Sequence, residues 1–342
     1  MSTAAEQLID FRFSDRYVVH AVRAVRPSLW EFAAVDDMLQ RDVIVKVGRD
    51  DDAQGAQSVS AQLERARSIG AVKHPSLVAL HDMGESDYGP FVVTEVTQGT
   101  SFASLIEHNG PLDVGRTLTL VRNVSSALAQ LHSNGVAYLA LRGESVILCG
   151  PNDHAKLLDV SFELPAGSEA TVPTPRDLAY VCPDVLRGQQ SSPCTDVFSF
   201  GALMFEMLTG QLPFQETDRD DLINRMRLGA TPSVRGISGD CPRSIDLLIG
   251  GCLEPDTTKR PVDMVIVAEV IDRLIEDSQA AVPEFELKRA ARSEQVQLRT
   301  SPVSKRNSSP KMPRRKPIRR PRAALSRQVA RRQRFWKPEG HK

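Results

Sequence analysis

An apolar stretch from Cys194 to Phe214, CTDVFSFGALMFEMLTGQLPF, dominates the hydropathy pattern of this chain. Val197, Phe198, Phe200, Leu203, Met204, Phe205, Met207 and Leu208 leave no polar face on a helical wheel, so the helix they predict is buried on all sides. The run from Val197 to Leu208 contains Glu206 and falls well short of the ~20 apolar residues that a membrane span requires. Asp196 stands where an N-terminal cap is expected, and Thr209-Gly210 supplies the C-terminal stop.

Elsewhere the pattern changes period. Tyr17 to Val35 alternates apolar and polar positions and predicts two strands, and Asp42 to Val47 is a β-branched strand carrying Lys46. Val59 to Val72 has helical character, Phe91 to Val96 predicts another strand, and Gly99 breaks the pattern. Val114 to His132 reads as an amphipathic helix. Strands with one helix, followed by a mostly helical remainder, predict an α+β fold in two lobes. The boundaries expected are a lead-in at 1–16, a small lobe at 17–95, a connector at 95–99, a large lobe at 100–278 and a tail at 279–342.

Charge changes this picture only at the tail. The whole chain of 342 residues has 43 Lys and Arg against 43 Asp and Glu, but residues 283–342 hold 19 of the former and 4 of the latter. The tail therefore carries +15 and the body −15, an asymmetry that points to an anionic partner or to the body itself. Its prolines at 313, 317 and 321 forbid a helix there, and its composition is that of a disordered basic segment. Five cysteines without a C-x-x-C pair argue for a reducing, cytoplasmic setting and against a metal site. The first residues show no basic region followed by an apolar run, so no secretory signal is expected. No transmembrane segment is expected either.

The pattern D-x-x-S-x-G-x-x-x-x-E-x-L-T-G-x-x-P-F, beginning at Asp196, resembles the central helix of the large lobe of protein kinases. The resemblance implies that Asp196 holds the backbone of the catalytic loop. His74-Pro75 with Leu77-Val78 resembles the segment after the regulatory helix of bacterial-type serine/threonine kinases. On that alignment Thr94 takes the gatekeeper position, and Glu95 and Val96 form the hinge whose backbone receives adenine. Asp184 in Cys182-Pro183-Asp184 takes the place of the A-P-E glutamate, and Arg260 that of the arginine pairing with it. With Asp for Glu the reach is one methylene shorter, and a weaker pair is expected.

The catalytic positions can be checked one by one, because phosphoryl transfer rests on positioning and charge stabilisation. No glycine precedes Gly48, so the phosphate cradle is missing from Val25-Arg26-Pro27-Ser28-Leu29-Trp30-Glu31-Phe32, and Trp30 and Phe32 are expected to fold into the cleft. Lys46 takes the position of the lysine of V-A-I-K. The family spacing places Arg65 where its glutamate partner belongs, with Glu64 one residue and about 100° of helix rotation away. In the loop Tyr138-Leu139-Ala140-Leu141-Arg142-Gly143-Glu144-Ser145, Ala140 replaces the aspartate base and Ser145 the metal-holding asparagine. Asp159, in Asp159-Val160-Ser161, retains the position of the principal Mg²⁺ ligand. An ion pair between Lys46 and Asp159 without nucleotide is as reasonable as Mg-ATP binding.

These residues predict a degenerate, pseudokinase-like member of the family: a binding or regulatory platform for an unknown protein partner, with no ATP/Mg²⁺ binding or only weak binding. One alternative is a residual transferase using Lys46, Asp159 and a displaced carboxylate such as Glu144 or Glu163. Another is a polyanion-binding adaptor acting through residues 283–342, toward nucleic acid or an anionic surface.

Overall fold

The structure is a computed structural model and describes residues 4–26, 29–48, 55–150, 154–158, 175–229 and 231–280. Asp159, Glu163 and the basic tail lie outside the described residues.

The small lobe is an antiparallel sheet of six strands in the order β1-β2-β3-β4-β6-β5. These are β1 (Arg12–Phe13), β2 (Tyr17–Arg26), β3 (Leu29–Asp36), β4 (Arg41–Gly48), β5 (Leu80–Ser86) and β6 (Gly89–Glu95). The helix α1 (Gly55–Ala71) connects β4 to β5, beginning four residues earlier than the sequence pattern indicates.

Residues 5–13, expected as a lead-in, are built into this lobe. β1 pairs with β2, and Ala5, Leu8 and Phe13 are buried against Tyr17, Val19 and the face of β3 and β4 that carries Phe32 and Val45. Polar pairs fix the layer. Arg16 forms two hydrogen bonds to Asp36, at 2.8 and 2.7 Å, and the Tyr17 hydroxyl donates to Asp82 at 2.6 Å.

The alternation of strand side chains assigns the sheet two distinct faces. Trp30, Phe32, Ala34, Val43, Val45, Val47, Phe91 and Val93 share the face covered by residues 5–13. Glu31 is the register partner of Lys46, Ala33 of Ile44, Lys46 of Val92 and Ile44 of Thr94, so these residues share the other face. That face looks toward the large lobe, because Leu29 and Val92 belong to the large-lobe core. Trp30 and Phe32 therefore do not fold into the cleft. They stand opposite Val47 and Val45, one residue out of phase with Lys46, and fill the outer core instead.

A second sheet, β7 (Thr100–Ser101), β8 (Val146–Cys149) and β9 (His154–Leu157), forms below the hinge. Gly99 is required there, since a Cβ at that position would lie 1.8 Å from the Leu148 carbonyl oxygen. The large lobe contains α2 (Phe102–Asn109), α3 (Val114–Ser133), α4 (Pro175–Leu178), α5 (Pro183–Leu186), α6 (Pro193–Thr209), α7 (Arg219–Arg227), α8 (Val234–Ile237), α9 (Arg243–Cys252) and α10 (Met264–Ala280).

The buried helix predicted from the sequence is α6, and its residues from Thr195 to Thr209 are all buried. Its N-terminus differs from expectation. Ser192 is the cap, forming a reciprocal box with Thr195, and Pro193 occupies the first turn. Asp196 therefore lies inside the helix, where its carboxylate is available to a neighbouring loop. Gly210 closes the helix in the left-handed conformation, φ 72°.

Candidate active site

The loop from Tyr138 to Ser145 is suspended from α6 by one carboxylate. Asp196 is fully buried and accepts hydrogen bonds from the Tyr138 N–H and the Leu139 N–H, each at 2.6 Å. It also receives His132 Nε2 at 2.9 Å, while His132 Nδ1 accepts from the Met264 N–H at 2.9 Å. That acceptor role at Nδ1 places the histidine proton on Nε2, facing Asp196. Leu139 adopts φ 60°, a left-handed conformation disfavoured for a residue with a Cβ, and the bond from its N–H to Asp196 holds it there.

Within this loop the chemistry is sparse. Ala140 offers only a methyl group, which packs against the core. The Ser145 hydroxyl is engaged locally, donating to the Arg142 carbonyl at 2.9 Å and accepting from the Arg142 N–H at 3.0 Å. The side chain that replaces the metal-holding asparagine is thus buried and folded back on its own loop.

Arg65 brings no acid to the α1 position expected to pair with Lys46. Its guanidinium donates to the backbone carbonyl of Tyr138, so α1 is bonded directly to the loop held by Asp196. Glu64 is exposed and pairs with Arg67 one turn on, so it supplies no carboxylate to the cleft.

Lys46 is buried on the cleft face of β4, directly across from Glu31 on β3. Thr94 is buried behind them on β6. At the hinge, the Glu95 side chain accepts from the Ala79 N–H at 2.9 Å and from Lys156 Nζ. Burial alone would push its carboxyl up, but Lys156 and the Ala79 N–H together hold it below its ordinary value. The Glu95 N–H is bonded to the Ala79 carbonyl at 3.0 Å, and Val96 follows half-buried.

Farther from the cleft, Arg260 lies over the Phe198 ring at 5.1 Å. It donates to the carbonyls of Glu254, at 2.9 and 2.7 Å, and of Cys194, at 3.1 Å. Asp184 Oδ2 stands 3.8 Å from Arg260 Nη2 and has no hydrogen bond, while Oδ1 is taken by Arg187.

The sequence reading missed one cluster. Glu206, buried in the middle of α6, accepts from Arg176 and from the Tyr180 hydroxyl, and Arg176 also reaches Glu144 at 3.4 Å. Burial and the Glu206 carboxylate push the Tyr180 phenol well above its ordinary value. The signal was present as a carboxylate in the apolar middle of the helix, which demands buried partners.

A β-rich lobe with one helix, a short hinge, a helical lobe and a loop hung from a buried helix together define the protein kinase fold. The protein kinase domain family matches residues 32–271, and the chain belongs to that family. It is 26% identical over 248 residues to the serine/threonine-protein kinase PrkC of Bacillus subtilis, covering 71% of this chain and 38% of PrkC. It is 27% identical over 274 residues to the serine/threonine-protein kinase PknL of Mycobacterium tuberculosis, covering 79% of this chain and 68% of PknL. Among solved structures, Rad53 1-466 in complex with AMP-PNP superposes with a TM-score of 0.61 at 19% identity, covering 75% of this chain and 64% of that one. No described helix is long and apolar enough to cross a membrane.

Three features stand at the positions that would hold Mg-ATP. Ser145 has its hydroxyl engaged by Arg142, Glu31 places a carboxylate on the cleft roof, and no glycine lies between β2 and β3.

Proposed function

We propose that this chain is a kinase-fold protein that acts by binding and does not transfer phosphate. The observation that carries the proposal is the contrast within one loop. Asp196 holds the Tyr138–Leu139 backbone firmly, yet Ala140 has no group to accept a proton and the Ser145 hydroxyl is turned back to Arg142. A scaffold present without its reactive groups suits a platform whose shape is recognised by a protein partner.

Nucleotide binding is weak or absent on this reading. Rad53 was crystallised with AMP-PNP, and its fold is shared here. In this chain the backbone hinge at Glu95 and Val96 and the Lys46 side chain remain, together with Asp159 in the sequence, but Leu29, Ala33 and Ile44 of the roof are already buried. A residual transferase working through Glu144 is disfavoured because Arg176 and Arg142 both approach that carboxylate. The +15 balance of residues 283–342 supports a second activity, polyanion binding through the tail.

The test is incorporation of radiolabelled phosphate from ATP into the chain itself and into generic protein substrates. No incorporation is expected from the natural chain or from Ala140→Asp, because the phosphate cradle and the second metal ligand stay absent. Labelling that Lys46→Met or Asp159→Asn abolishes would falsify the proposal. Recovery of activity by Ala140→Asp alone would show that only the base had been lost.

A further inference from the structure

We infer that Glu31 is the residue that keeps nucleotide out of the cleft, by placing a carboxylate in its roof directly across from Lys46. The inference deepens the weak-binding part of the proposed function and rests on it.

Cross-strand register decides the matter. Glu31 and Lys46 are Cα partners on β3 and β4, so their side chains emerge on the same face, with Cβ atoms roughly 5 Å apart. The face is the one directed at the large lobe, since the alternate residues Trp30 and Phe32 lie in the outer core. Around Glu31 the roof is apolar and buried: Leu29 is 3% exposed, Ala33 1% and Ile44 4%. One cation reaches this carboxylate, Arg23 Nε standing 3.1 Å from Glu31 Oε1. Glu31 is thus held by Arg23 on the face that carries Lys46.

The helix offers no substitute. The α1 position expected to carry an acid for Lys46 has Arg65, which is bonded to the Tyr138 carbonyl. The acid that the register sets beside Lys46 comes from the sheet, inside the space that a nucleotide would enter. A phosphate approaching Lys46 meets a carboxylate of like charge, and a base sliding under the roof must strip water from it. Both effects oppose binding, and both depend on the negative charge of one side chain.

The experiment compares the full chain with Glu31→Gln, Glu31→Val and Arg23→Gln. ADP and ATP are titrated by calorimetry, with and without Mg²⁺, and folding is checked by circular dichroism and the thermal midpoint. Glu31→Gln keeps the size of the side chain and guards against a misfolded Glu31→Val. Removing the charge is expected to tighten binding about ten-fold or more, while Arg23→Gln, which leaves the carboxylate in place, gives no gain. The inference is overturned if both folded Glu31 variants bind no more tightly than the natural chain, or if Arg23→Gln gains as much as they do. The natural chain's own affinity tests the wider reading separately. A metal-dependent Kd in the low micromolar range defeats the weak-binding proposal, whereas the ratio between variant and natural chain alone decides the role of Glu31.

Discussion

The Arg65 guanidinium of α1 donates to the backbone carbonyl of Tyr138, and the Leu139 N–H of the same peptide unit is held by Asp196. Regulatory helix, catalytic loop and central helix are thereby joined through a single peptide unit. A strap of this kind needs no nucleotide to hold α1 in place.

Arg65→Ala removes the strap without touching Asp196. Hydrogen bonds to charged groups contribute about 1.5–3 kcal/mol, and partial exposure of Arg65 brings the expected loss to about 1–2 kcal/mol. Amide hydrogen exchange is expected to quicken in α1 and to stay unchanged in α6. Unaltered exchange across 55–71 would mean that the bond does not hold the helix.

Asp184→Glu is expected to stabilise the large lobe. Asp184 Oδ2 is buried without a hydrogen bond, 3.8 Å from Arg260 Nη2, and one added methylene brings the carboxylate within bonding distance. The gain expected is about 1 kcal/mol. In a domain of this size that corresponds to a rise of about 2–4 °C in the thermal midpoint. A fall in midpoint would indicate that the longer side chain cannot be accommodated beside Arg187.

Acid stability should depend on Asp36. Its hydrogen bonds with Arg16, opposed by burial and reinforced by the Leu39 N–H, hold its carboxyl at about 2, below the ordinary 3.8. A group depressed in this way contributes stability that is fully present above its unfolded value and is lost as pH falls through the folded one. The stability difference between the natural chain and Asp36→Asn is therefore expected to be constant above about pH 5 and to shrink progressively toward pH 2. Urea denaturation at a series of pH values measures it, and a difference independent of pH would remove Asp36 from the account.

The tail prediction is electrostatic. Residues 283–342, at +15, are expected to bind duplex DNA, RNA and anionic vesicles at low salt, more strongly as an isolated peptide than in the full chain with its −15 body. On duplex DNA the slope of log K against log salt should be about −0.9 per phosphate contacted. Little base specificity is expected, since no reading motif is present. If the isolated tail binds none of these at low salt, the adaptor reading fails.

The sequence by itself determined α6, the strands β2, β3, β4 and β6 and the positions of Lys46, Asp196, Ala140 and Ser145. Each follows from a pattern contained in one element or from spacing along one loop. The same local logic exposed what the catalytic loop lacks, since an absent side chain can be read from its position alone. It placed Asp196 at the helix cap only because Ser192 and Thr195 make their reciprocal box through hydrogen bonds that the residue pattern does not reveal.

Only the tertiary structure decided which way side chains face and what distant residues meet. Trp30 and Glu31 are adjacent in sequence, yet pairing with β4 sends one into the outer core and the other to the roof opposite Lys46. A shift of one residue in that register would exchange them, and the hydropathy of β3, mixed on both faces, does not specify which register holds. The burial of residues 5–13, the bond from Arg65 to a carbonyl 73 residues away and the meeting of Arg176 with Glu206 arise in the same manner. These contacts depend on how whole elements approach one another, and periodicity within any one of them cannot encode that approach.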